Sequence, residues 1–240
     1  MSVRFGRWGA VIGAAALVVS IVACTTTSSP TPSGTASAVA TSMGPAAPAT
    51  GAELLSKVTT AVKAATSVHI VATGTVSLDL AGTTDGTDGH YQVTSDGTKM
   101  EALLAGGGFY VKGDDAFWKA WGVPSASTLL AGRWMKMPEA QKKALGQLTV
   151  PGTLAEMITS ITPDKVAPTV ESTTLDGKPV YVFSDAAGKD QGQCYVAADG
   201  SWLPVKVTGK GVDAATFSEW NSVPRATVPP ADQVVDASAG

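Results

Sequence analysis

From Glu53 to Thr66, apolar residues Leu54, Val58, Ala61, Val62 and Ala65 recur at intervals of three and four, with Lys57 and Lys63 off that stripe. The spacing predicts an amphipathic helix. At Ser67 the period changes to two. Val68, Ile70, Ala72, Val76, Leu78 and Leu80 share one parity, while His69, Thr73, Thr75, Ser77 and Asp79 hold the other. This alternation predicts one long half-buried strand ending at Leu80. Asp85-Gly86, Asp88-Gly89, Asp96-Gly97 and the run Gly106 to Gly108 then punctuate the chain. They separate strand-like segments at 90–94, 98–104 and 109–112, which predicts successive antiparallel hairpins. Short helices are expected at 115–121, 139–148 and 154–161, with a strand at 133–137 between them. The last third returns to strands at 166–175, 179–184, 193–197, 203–208 and 215–220, with Asp176-Gly177 and Asp199-Gly200 as turns. A helix, many antiparallel strands, a helical insertion and more strands predict an α+β domain, with one large sheet covered on one face by helices.

The first 52 residues follow neither period. Arg4 and Arg7 precede an uncharged run from Trp8 to Ala23, the layout of a secretory signal peptide over residues 1–23. This run is shorter than the roughly 20 apolar residues that span a bilayer. From Thr25 to Ala52 the chain is almost wholly Thr, Ser, Pro, Ala and Gly and carries no charge. It lacks material for a core, so residues 24–52 are expected to form a flexible tether, rich in hydroxyl groups that suit O-glycosylation, ahead of a single domain over 53–240. Loss of Arg4 and Arg7 with the leader takes the formal charge from −3 to −5. An acidic chain without a basic cluster offers nothing for nucleic acid.

The sequence is poor in the residues that carry out reactions. His69 and His90 fall in strands and match no metal-ligand spacing. No nucleophile elbow, P-loop or strand-linked dinucleotide fingerprint occurs. Gly106-Gly107-Gly108 lacks a following Lys-Ser/Thr and a helix, so a hairpin turn is the expected structure. Asp114 and Asp115 precede Phe117-Trp118, where an aspartate caps free helix N–H groups. Trp118 and Trp121, three apart, share one face of that short helix. Cys194 lies in the alternating run Gln193-Cys194-Tyr195-Val196 and is expected to be a buried thiol. No enzymatic activity and no cofactor are expected.

Ser20-Ile21-Val22-Ala23-Cys24 resembles the lipobox of bacterial lipoproteins, in which small or aliphatic residues precede an obligatory cysteine. The resemblance implies that Cys24 receives a diacylglyceryl group, becomes the acylated N-terminus, carrying palmitate among its chains, and anchors the protein on the extracytoplasmic face of the cell membrane. Two or three acyl chains make a lasting anchor at roughly 0.8 kcal/mol per buried methylene.

Further segments extend the likeness. Ser67-Val68-His69-Ile70 after the first helix, Tyr110-Val111-Lys112-Gly113-Asp114-Asp115-Ala116-Phe117-Trp118, Gly132-Arg133-Trp134-Met135-Lys136-Met137-Pro138, and Asp176-Gly177-Lys178-Pro179-Val180-Tyr181-Val182 resemble actinobacterial lipoproteins of the LppX/LprG type. These share the LolA-like lipoprotein-carrier fold. The resemblance implies an open half-barrel whose concave face, capped by helices, encloses an apolar cavity for the acyl chains of lipids, glycolipids or lipoglycans. The residues expected to line the sheet wall are Val68, Ile70, Val76, Leu78, Met100, Leu104, Phe109, Val111, Val180 and Val182. Met135, Met137, Leu145, Leu148, Leu154, Met157 and Ile161 are expected on the lid, where methionine's flexible thioether suits variable ligands. The same positions would also serve as the plain interface of any sheet-and-helix domain. A second reading is therefore an envelope sensor or interaction module of this fold, which binds a protein partner and has a filled core and an exposed apolar patch.

Overall fold

The computed structural model describes residues 46–121, 130, 132–210 and 212–236. The expected signal peptide, Cys24 and most of the expected tether lie outside them. Thr41–Gly240 forms a compact unit of its own.

Helix α1 spans Gly51–Ala64, starting slightly earlier than its apolar stripe suggests. Thr50 caps it, its hydroxyl accepting from Glu53 N–H at 3.1 Å, while Glu53 Oε2 accepts from Ala49 N–H at 3.1 Å. The first bond satisfies a donor that the first turn leaves free, and the second ties the residue ahead of the cap to the same turn. Leu54, Leu55, Val58 and Val62 form the buried stripe, each contributing about 1.5–3 kcal/mol by leaving water.

Twelve strands follow among the described residues, beginning with β1 (Ser67–Thr73), β2 (Val76–Thr83), β3 (Gly89–Ser95), β4 (Thr98–Ala105), β5 (Gly108–Gly113) and β6 (Trp134–Met137). They continue with β7 (Glu171–Leu175), β8 (Lys178–Ser184), β9 (Gly192–Ala197), β10 (Pro204–Gly209), β11 (Val212–Ser218) and β12 (Val234–Asp236). The sheet order is β12-β6-β5-β4-β3-β2-β1-β11-β10-β9-β8-β7. The first six strands form one meander and β7 to β11 another. The antiparallel pair β1–β11 joins them, and β12 pairs parallel to β6. Edge strands β12 and β7 have no pairing with each other, so the sheet is open. Sheets this wide curl, and one core cluster accordingly links side chains from β6 to β8.

The segment predicted as one long strand is the hairpin β1–β2, turning at Gly74-Thr75. Ala72 pairs with Leu78 and Ile70 with Leu80. Even-numbered residues therefore face even-numbered partners, and the alternation crosses the turn undisturbed. Other turns match their sequence signals. Asp96 and Gly97 both have positive φ, as do Asp176 and Gly177, the type I′ geometry that joins twisted strands. Strand β7 is shorter than the predicted 166–175. Val166 makes only an isolated bridge to Asp185, and Pro168, which lacks an N–H, accepts from Gly51 N–H instead.

The helical insertion holds α2 (Asp115–Ala120) and α3 (Val150–Ser160). Helix α3 begins before the predicted Leu154 because Thr149 caps it, accepting from Gly152 N–H at 3.2 Å, with Pro151 in its first turn. Residues Glu139–Leu148 are 3-10 turns rather than the predicted α-helix. They have no side-chain cap and break at Gly146, whose φ of 48° and ψ of −117° lie outside any helical region. Helix α1 packs against β8, α2 against β4 and β5, and α3 against β1 and β2, all on one face of the sheet, here termed the inner face.

Candidate functional site: the inner face and its cavities

Cross-strand register builds the inner face from continuous apolar rungs. One rung runs Phe217, Ile70, Leu80, Tyr91, Ala102, Val111, Met135, Val235 through eight adjacent strands. A second runs Phe183, Cys194, Val207, Ala215, Ala72, Leu78, Val93, Met100. A third joins Val68, Gly82, Gly89, Leu104, Phe109 and Met137. The Tyr91 ring lies across Gly89, where a Cβ would come within 2.6 Å of its hydroxyl. Burial pushes that phenol up to about 12.

Fifteen of the seventeen residues expected on the wall and lid belong to the core cluster of this face or pack against it. Val68, Ile70, Met100, Leu104, Phe109 and Val111 are buried in its core cluster. Val76, Leu78, Met135, Met137, Leu148 and Met157 are only partly buried against it, as is Ile161, while Leu145 and Leu154 are buried. Val180 and Val182 are different. They alternate with Tyr181 and Phe183, which are in the inner cluster, and pair with Ala197 and Tyr195. The two valines therefore lie on the opposite face of the sheet, buried there at 2% and 3% exposure. Val180 to Phe183 are four consecutive apolar residues within β8, so alternation could not assign the face. Tyr91, Tyr181, Phe183, Cys194 and Phe217 belong to the inner wall and were not nominated; their strand partners supply the missing signal.

Two cavities adjoin this face. The larger, about 660 Å³, opens at one end of the sheet between the β2–β3 loop, the end of β4, the 3-10 turns and the start of α3. Asp85, Gly86, Leu104, Ala140, Lys142, Lys143, Gly146, Thr149 and Pro151 line it. Asp85 Oδ1 accepts from the Thr83 hydroxyl at 2.7 Å, the Thr87 hydroxyl at 2.8 Å and the Thr87 N–H at 3.0 Å. These donors, Thr83 foremost, hold the carboxyl down at about 2. Lys142 Nζ donates to Gly86 O across the opening.

The smaller cavity, about 210 Å³, lies at the far end of α3, among Ile161, Val166, Phe183, Cys194, Val207 and the ends of β8 to β10. Burial pushes the Cys194 thiol from 9.0 up to about 12. Its thiolate fraction at pH 8 is then about a thousandfold below that of an exposed cysteine, and thiolate is the reactive form. Iodoacetamide is expected to leave Cys194 unmodified in the folded protein and to alkylate it in urea. Rapid alkylation without denaturant, seen as a mass shift, would contradict its burial.

Across β1 to β5 the opposite face carries polar pairs. His69 meets Asp79 at 2.8 Å, and Glu101 receives both His90 at 3.2 Å and Lys112 at 3.0 Å. These half-exposed pairs contribute about 0–1 kcal/mol each. A second small cluster, Leu103, Ala105, Tyr110 and Trp134, is covered there by Ala226 and Val234. Asp88 fixes the covering segment by accepting from Ala226 N–H at 2.8 Å. Asp114 is a cap, accepting from Phe117 N–H and Lys99 N–H at 2.8 Å each. Among the described residues, no three His, Cys, Asp or Glu side chains converge as a metal site, and no helix is long and apolar enough to cross a membrane.

No protein-family model matches the sequence, and no curated protein is significantly similar to it. One solved structure that aligns with the chain is that of the Mycobacterium tuberculosis lipoprotein LppX. The alignment has 16% identity and a TM-score of 0.42, and covers 71% of this chain and 94% of LppX.

Proposed function

We propose that this protein is a membrane-anchored lipoprotein of the cell envelope that binds lipids, glycolipids or lipoglycans along its inner face and carries them. The observation that carries this reading is the extent of the apolar wall. Its rungs cross the open sheet, and Val76, Leu78, Met135, Met137, Leu148 and Met157 remain only partly buried against them, while a cavity of about 660 Å³ meets the same face at Leu104. That volume is in the range of small-molecule sites. An acyl chain laid against these residues would bury the area that the helices leave open, at about 25 cal/mol per Å². The interaction-module reading calls for an exposed apolar patch; among the described residues Val228 is the one exposed large hydrophobic side chain.

The reading is tested with vesicles carrying a fluorescent diacyl lipid at self-quenching density. Adding the Thr41–Gly240 unit is expected to dequench the dye in proportion to protein, as lipid moves into the inner face. An unchanged signal would contradict lipid carriage. The anchor is tested separately, by feeding cells labelled palmitate. Label is expected on the wild-type chain and absent from Cys24→Ala, and equal labelling of both would remove Cys24 as the acylation site.

A further inference from the structure

The chain contains one pair of adjacent basic residues, Lys142-Lys143, and both line the larger cavity. Leu145, buried at 6% exposure, pins this stretch of 3-10 turn to the core. The third charged group in the lining, Asp85, is occupied by the hydroxyls of Thr83 and Thr87 and the Thr87 N–H of its own loop. Two ammonium groups against one carboxylate leave the opening with a net charge of one positive unit. Lys142 spends one donor on Gly86 O, and an ammonium carries three. The inner wall of the same cavity is Leu104, which pairs with Phe109, which in turn pairs with Met137. A polar, cationic rim thus continues directly into the apolar wall.

Building on the carrier reading above, we propose that this cavity is a headgroup site for a singly charged anionic amphiphile. Lys142 and Lys143 hold the anionic group, and the acyl chains pass Leu104 onto the inner face. A lone cation at a cavity rim would attract any anion. The join to Leu104 selects one that carries hydrocarbon, so a lipid-borne anion is the ligand and free phosphate is not.

The test is a competition read by native mass spectrometry. The Thr41–Gly240 unit is offered equimolar phosphatidylglycerol and diacylglycerol of identical acyl chains, with inorganic phosphate alone as a third arm. Charge-assisted hydrogen bonds are expected to favour phosphatidylglycerol by about tenfold in occupancy. The double variant Lys142→Gln, Lys143→Gln is expected to bring that ratio to about one while diacylglycerol occupancy and the melting temperature stay as in the wild type. Equal occupancy by the two lipids in the wild type, or a preference that survives the double substitution, would overturn the assignment. Inorganic phosphate bound as tightly as phosphatidylglycerol would also overturn it, marking a free-anion site. Diacylglycerol bound without preference leaves the carrier reading standing and removes only the headgroup site, whereas binding of neither lipid defeats both.

Discussion

Replacing Trp118 with alanine is expected to lower the unfolding free energy of the Thr41–Gly240 unit by about 3–5 kcal/mol. The side chain is 1% exposed. Its Nε1–H donates to Gly113 O at 3.1 Å, its ring stacks on Trp121 at 5.9 Å, and Phe117 meets it edge-on at 4.9 Å. Helix α2 has only six residues, too few for an isolated helix to persist in water. It is held by this aromatic cluster against β4 and β5. Removing the indole leaves a cavity and an unpaired carbonyl together. Phenylalanine at the same position restores most of the apolar area but not the donor, so it should cost less. Urea unfolding followed by circular dichroism measures both, and an alanine variant with an unchanged midpoint would show that α2 is not anchored in this way.

The second large effect concerns cargo and depends on which face of the sheet a residue occupies. Leu78 and Val71 are both half-buried and lie on the paired strands β1 and β2. Leu78 is on the inner face beside Ala72, whereas Val71 pairs with Asp79 on the polar face. A carboxylate placed against hydrocarbon without a partner costs several kcal/mol, so Leu78→Glu is expected to reduce lipid occupancy by at least about tenfold. Val71→Glu adds the same charge to the polar face and should leave occupancy near that of the wild type. Equal loss in both variants would mean that lipid retention follows net charge or general stability rather than the inner wall.

Much of this architecture was legible in the chain because half-buried strands write their faces in alternation. Parity alone put Val68, Ile70, Val76 and Leu78 on one side, and the family resemblance added Met100, Leu104, Phe109 and Val111 to the same wall. Alternation fails where it is uninformative. In β1–β2 the pairing keeps even residues facing even residues, so Gly74-Thr75 passes unnoticed inside an unbroken pattern. In β8 both parities are apolar because both faces are covered, and the wall residues proved to be Tyr181 and Phe183 rather than Val180 and Val182. Strand β12 has three residues and pairs parallel to β6 across about 100 positions of chain; nothing local in Val234-Val235-Asp236 announces it. The cavity at Lys142 was equally hidden. Helical spacing over 139–148 says nothing of the break at Gly146, and only the assembled fold brings Asp85, Leu104 and the lysine pair around one opening.

Native mass spectrometry of the Thr41–Gly240 unit produced in an actinobacterial host, followed by solvent extraction, bears most directly on the proposed cargo. Acylated species of defined mass are expected on the protein, lost on extraction and regained on incubation with an envelope lipid extract. A protein that carries nothing after purification, and whose mass stays unchanged after that incubation, would contradict lipid carriage by the inner face.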